Sequence, residues 1–211
     1  MKANKKNISI LIIWLVHVSG FMGMLFYDLN FFAGFTSVNL LLMSIILFLN
    51  FKLDSKYHLL SFLLIFLITM VTESLGANYG LIFGDYEYGN NLGFKLFGVP
   101  YLIGVNWIIL TAISGNIASF LTKNRSIVLT IIIGVILMLA MDFVMEPIAP
   151  KLDMWRFKNL IVPSSNYVGW LLVGLFTQTL YNLYFKEKEI IVSTNLYLAF
   201  FLFFGCLNLN F

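Results

Sequence analysis

Two carboxylates stand inside apolar runs of this chain, Glu73 in TMVTESLG and Asp142 in LMLAMDFVMEP. A carboxylate in hydrocarbon costs about 2.5 to 3.5 kcal/mol on insertion scales, so each needs a partner, water or a task. A third apolar run opens with Asn106 and Trp107, and a fourth with Asn166 and Trp170. Spacing by four puts Asp142 with Glu146, and Asn166 with Trp170, on common helical faces. These residue types fit proton-transfer chemistry on an apolar substrate: a carboxylic acid donates the proton, a second polar group holds water, and aromatic faces stabilise a cation. Each residue alone is explained by interhelical hydrogen bonding or by anchoring at the headgroups. Six of them at one depth point instead to a polar pocket.

The elements that position them follow from composition. Of 211 residues, 60% are apolar and 11% charged, well below the roughly 25% charge of a soluble domain. Apolar stretches of near-spanning length recur at about 8–27, 35–51, 57–75, 99–121, 126–145, 166–185 and 190–209. They predict an all-α, polytopic transmembrane bundle of about seven helices, forming one integral-membrane domain over residues 1–211. The first run follows Lys2, Lys5 and Lys6 but continues to Tyr27 without a small-residue cleavage site, so it reads as a retained helix. Counted on alternate sides, Lys2, Lys5, Lys6, Lys52, Lys56, Lys123, Arg125, Lys186 and Lys188 oppose Lys95, Lys151, Arg156 and Lys158. That bias places the protein in the cell (inner) membrane with its N-terminus cytoplasmic. Because helices alternate in direction, the ends of the third and fifth spans then lie beside the starts of the fourth and sixth, on the outer side.

Two connections on that side are unlike the rest. Residues 76–98 and 146–165 are long and rich in Gly, Pro, aromatics and charge, whereas the other joints are short. Gly76, Gly80 and Gly84 either allow close approach in a continued third helix or simply loosen a loop. The net charge of +3 sits in short loops and reports topology, not nucleic-acid binding. One cysteine, Cys206, excludes disulfide, CxxC and Cys-based zinc chemistry. His17 lies in mid-span, either as a proton carrier or as a hydrogen-bond partner for a neighbouring helix, and His58 lies at a membrane edge with no chemical task. Two histidines on opposite sides make no metal site. Asn39, Gln178 and Asn182 read as helix glue. The last span has no lysine for a retinal Schiff base, and no aspartate-rich diphosphate motif, Walker loop, GxSxG or HExxH occurs. The aromatics, 22 Phe, 10 Tyr and 4 Trp, suit contact with a polyene as well as with lipid.

The two odd loops carry a resemblance. Glu73 to Trp107 reads E-x2-G-x3-G-x3-G-x-Y-x-Y, then LG, GVP and W; Asp142 to Trp170 reads D-x3-E-P-x-A, then W-x-F, then P-x2-N-x2-G-W. Both resemble the integral-membrane carotenoid-biosynthesis protein family, whose characterised members hydrate the acyclic ends of carotenoids; Phe157 stands where a second Trp is expected. The resemblance implies a hydro-lyase acting without cofactor or metal on the terminal C1=C2 double bond of a carotenoid end group, giving a tertiary alcohol. Asp142 or Glu73 would supply the acid, with the other or Asn166 positioning water. Trp107, Trp170, Tyr86, Tyr88 and Trp155 would line the cation, and Asn106 and Glu146 would complete the substrate contacts. Its partners would be the carotenoid, membrane lipid and other enzymes of the pathway, with no nucleic acid. Two alternatives stay open: an end-group cyclase of the lycopene type, which closes a ring where a hydratase captures water, and a non-catalytic carotenoid-binding or assembly subunit.

Overall fold

The computed structural model describes residues 4–123, 125–186 and 188–211; Lys2 of the N-terminal basic flank lies outside the described residues. Asn4 caps α1 (Lys5–Phe26), and the Asp28 side chain caps the five-residue α2 (Leu29–Ala33) by accepting from the Phe31 amide at 2.7 Å. Next come α3 (Thr36–Asn50) and α4 (Lys56–Tyr79), the latter capped by Ser55. Short strands β1 (Tyr86–Tyr88), β2 (Lys95–Leu96) and β3 (Val99–Pro100) precede α5 (Tyr101–Leu121) and α6 (Ile127–Met145). Strand β4 (Trp155–Phe157), α7 (Ser164–Tyr184) and α8 (Ile190–Asn210) complete the chain.

The seven long helices coincide with the seven apolar runs, and the protein is an all-α polytopic bundle. Five of them, α1, α4, α5, α6 and α8, are long and apolar enough to cross a membrane. Helix α3 has only 15 residues, below the roughly 17 to 25 of a span, and α7 carries Asn166, Gln178 and Asn182, which lower its hydropathy. Helix α2 and the strands are departures from the sequence reading. The first is too short to show a period, and the others are made by tertiary pairing.

Helix α5 is the centre, packed by α3, α4, α6, α7 and α8 and buried on nearly every side. The peripheral helices keep one apolar stripe outward, such as Leu11 and Leu15 on α1, Leu63 and Leu67 on α4, and Val128, Ile132 and Ile136 on α6. Exposed leucine at i, i+4 spacing is what a lipid solvent selects. Polar side chains are used between helices: Trp14 Nε1 donates to Asn195 at 2.8 Å, Asn116 Nδ2 to Ser193 at 2.8 Å, and Gln178 Nε2 to the Thr111 carbonyl at 2.9 Å. Asn182 departs from the sequence reading as glue between helices, since its Nδ2 donates to the Gln178 carbonyl one turn back on α7 itself. Such interhelical bonds contribute about 0.6 kcal/mol each in membranes.

The two long connections meet at one end of the bundle, where β1 and β4 pair antiparallel in the register Tyr86↔Phe157, Glu87↔Arg156 and Tyr88↔Trp155. The period of two turns Tyr86, Tyr88, Trp155 and Phe157 inward and leaves Glu87 and Arg156 outside, ion-paired at 2.6 Å. Lys158 pairs with Asp85 at 2.7 Å beside them, and Lys151 donates to the Phe211 carbonyl at the same end. Lys6 reaches Glu189 at 2.6 Å, and Lys5 reaches the Leu49 carbonyl, at the opposite end.

Candidate active site

Helix α4 runs past the apolar stretch to Tyr79 and stops because Gly80 adopts φ +68°, its N–H closing on the Gly76 carbonyl at 2.8 Å. That continuation bears out close approach for Gly76 alone; Gly80 ends the helix and Gly84, at φ +107°, lies in the loop beyond it. A β-carbon at Gly76 would lie 2.7 Å from the Tyr86 hydroxyl, so glycine makes the space through which β1 reaches the α4 surface. The hydroxyl of Tyr86 thereby donates to Glu73 Oε2. Tyr88 donates to the same oxygen at 2.7 Å, and Trp107 Nε1, from α5, donates to Oε1 at 2.7 Å. Burial and the Glu73 carboxyl beside them push the phenols of Tyr86 and Tyr88 up, so both remain protonated donors. Glu73, 5% exposed, therefore ties one helix to a strand and to the central helix, with both oxygens engaged.

Asp142 is bound differently. Asn166 Nδ2, from α7, donates to Asp142 Oδ2 at 2.8 Å and to Glu146 Oε1 at 3.3 Å. Trp155 Nε1, from β4, donates to Glu146 Oε2 at 3.1 Å. Asp142 is fully buried, and its Oδ1 meets no N–H or O–H donor. The Asp142 and Glu146 carboxyls lie within hydrogen-bond reach of each other, and a bond between two carboxyls needs a shared proton.

Trp107 and Trp170 stack with centroids 4.1 Å apart and planes 20° apart, forming an aromatic wall between the two carboxyl groups' helices. A cavity of about 30 Å³ is enclosed by Glu73, Tyr86, Tyr88, Asn106, Trp107, Asp142, Glu146, Trp155, Asn166 and Trp170, with Phe83, Ile103 and Phe157. It has room for a water or two. All ten candidate residues are thus brought to one place. Phe83, Ile103 and Phe157 were missed. The W-x-F spacing could have flagged Phe157, and the glycines around Phe83 could have flagged that ring, but nothing in the sequence singles out Ile103.

A second cavity, of about 350 Å³, adjoins the first and shares Ile103, Asn106 and Trp155 with it. Its wall is almost wholly apolar, drawn from α1, α2, α3, α5, α8 and the loop after α6, and its volume is in the range of ligand sites. His17 lines this cavity and not the carboxyl one. The sequence expectation for it is corrected in part: its Nδ1 bonds the Ile13 carbonyl of its own helix at 2.7 Å, not a neighbouring helix. Among the described residues, no group of three His, Cys, Asp or Glu side chains is placed to hold a metal ion.

A family model for carotenoid biosynthesis proteins matches residues 32–211, which contain every residue around the two carboxyl groups. The chain belongs to the carotenoid biosynthesis protein family. A bisanhydrobacterioruberin hydratase of Haloarcula japonica is 28% identical over 121 residues, covering 54% of this chain. The chain spans 41% of that curated relative's length. No solved structure matches. In this carotenoid biosynthesis protein α1 precedes the matched region, so one wall of the large cavity is built from residues outside the family model.

Glu146, just beyond the end of α6, gives a pH test of the cluster. Burial raises its carboxyl from the ordinary 4.5 to about 7. A folded value above the unfolded one contributes stability that is complete below about 4.5 and is lost as pH rises through about 7. The melting temperature of the purified protein should fall by several degrees between pH 5 and 8, and Glu146→Gln should lose that decline. An equal decline in both proteins would contradict the assignment.

Proposed function

We propose that this protein is a carotenoid hydratase, adding water across the terminal double bond of an acyclic end group to give a tertiary alcohol. What carries the reading is Asp142: a fully buried acid with one unpartnered oxygen, held by Asn166 and Glu146 at a water-sized cavity that shares Ile103, Asn106 and Trp155 with a large apolar one. In the reaction, the end group enters from the apolar cavity and Asp142 gives its proton to the less substituted alkene carbon. The alkene electron pair becomes the new C–H bond, and the adjacent carbon becomes a tertiary cation facing Trp107 and Trp170. Water held by Asn166 and Glu146 donates an oxygen lone pair to the cation, and its proton passes to the carboxyl pair, so the acid is restored and only water is consumed. The water-sized space beside the acid favours capture over ring closure. Glu73 positions the tyrosines and Trp107 and is not the acid.

Expression in a host that accumulates lycopene tests this directly: pigment heavier by one water per modified end is expected. Unaltered pigment would contradict it. The basic bias supports a topology with the β1–β4 end outside; reporter fusions after Lys56 and Gly89 should report opposite sides of the membrane, and agreement between them would overturn that topology.

A further inference from the structure

The large cavity is apolar except at a few residues, and two of these carry unsatisfied buried acceptors. His17, 4% exposed, donates from Nδ1 to the Ile13 carbonyl, which leaves Nε2 of the neutral ring as an acceptor; that atom is buried without a partner. Its ring is fixed against Phe200 and Phe203, at 5.2 and 5.7 Å, and both phenylalanines line the same cavity. On α3, Asn39 also lines the cavity, and its Oδ1 is likewise buried and without a donor. A buried acceptor left unpaired carries a desolvation penalty, and two on residues that line one ligand-sized apolar space point to a ligand that brings the donor.

We propose that the cavity selects a carotenoid that already bears a hydroxyl, the hydroxyl donating to His17 Nε2 with Asn39 Oδ1 as the second acceptor. The inference rests on the hydration reading above for the polyene. The hydroxyl recognised here is not the one being formed, because the acid and its water lie among residues of α4 to α7, whereas these acceptors belong to α1 and α3. His17 and Asn39 are therefore specificity-determining residues, and the reaction that supplies the substrate is one that leaves an alcohol on the polyene. His17 also precedes the region matched by the family model, so this selectivity belongs to α1 of this chain.

The test is binding without turnover. The full chain in detergent, carrying Asp142→Asn to stop reaction, is titrated with lycopene and with its mono-hydroxylated tertiary-alcohol derivative, following the polyene absorption band. The alcohol should bind about tenfold more tightly, the worth of one well-made hydrogen bond. Adding His17→Leu should weaken the alcohol about tenfold and leave lycopene unchanged, and His17→Gln, which restores an acceptor, should recover most of the preference. Asn39→Leu should lower the preference in the same direction without requiring any change at His17. Equal affinities for the two polyenes in the parent would overturn the proposal, as would a preference that His17→Leu leaves intact or a loss that is equal for both ligands. Because the readout is affinity, a failure here leaves hydration standing, and a failed hydration assay leaves the measured preference standing.

Discussion

Asp142→Asn should accumulate in the membrane at wild-type level and lose product formation on the order of a thousandfold, the scale of removing a positioned general acid from a reaction that begins with proton transfer to carbon. The substitution keeps shape, and the new amide oxygen still accepts from Asn166, whose 2.8 Å bond holds the wild-type carboxyl. It also ends the crowding of two carboxyls within hydrogen-bond reach, so the folded protein should be no less stable. Membrane yield and thermal stability are measured beside carotenoid product from the same cells. Full activity in Asp142→Asn would remove it from the mechanism. Loss of activity only in proportion to loss of protein would favour the carrier reading.

Glu73→Gln should do the reverse, with its main effect on stability. Three donors converge on this side chain, from Tyr86, Tyr88 and Trp107. A glutamine has one accepting oxygen, so either Tyr88 or Trp107 is left as a buried donor without an acceptor, while Tyr86 keeps the Glu73 backbone carbonyl at 3.2 Å. Each such group costs about 1 to 3 kcal/mol. The expected loss is about 3 kcal/mol, roughly 10 °C in melting temperature for a chain of this size. Residual protein at low temperature should still form product. Gly76→Ala should resemble it, since the added methyl would meet the Tyr86 hydroxyl at 2.7 Å and move the phenol off Glu73. A Glu73→Gln protein of wild-type stability that is catalytically dead would reverse the roles assigned to the two carboxyls.

That division of roles was not legible in the sequence, which left Asp142 and Glu73 interchangeable. Both are single acids near the ends of apolar runs, and what separates them is the set of donors brought by distant segments. Tyr86 and Tyr88 reach Glu73 only because β1 pairs with β4, some 70 positions later, and because Gly76 admits a ring. The helices were legible because burial in lipid demands long apolar runs with internally satisfied backbones. Helix α2 was not, since five residues between an Asp cap and a glycine show no period. The pocket's polar members could be read because Asn, Asp, Glu and Trp are costly or uncommon within apolar runs. Its apolar members are harder to read: among 22 phenylalanines only the W-x-F spacing marks Phe157 and only the flanking glycines mark Phe83, and nothing marks Ile103. The large cavity and the unpaired Nε2 of His17 are absences, of atoms in one case and of a donor in the other, and a sequence pattern does not display either.

The most direct test of the central claim is the origin of the new oxygen. Membranes containing the protein, incubated with lycopene in heavy-oxygen water without dioxygen, should yield a tertiary alcohol carrying one labelled oxygen per modified end. Failure to form the alcohol unless dioxygen is admitted, an alcohol that carries no label, or a ring-closed product of unchanged mass would contradict hydration by the Asp142 site.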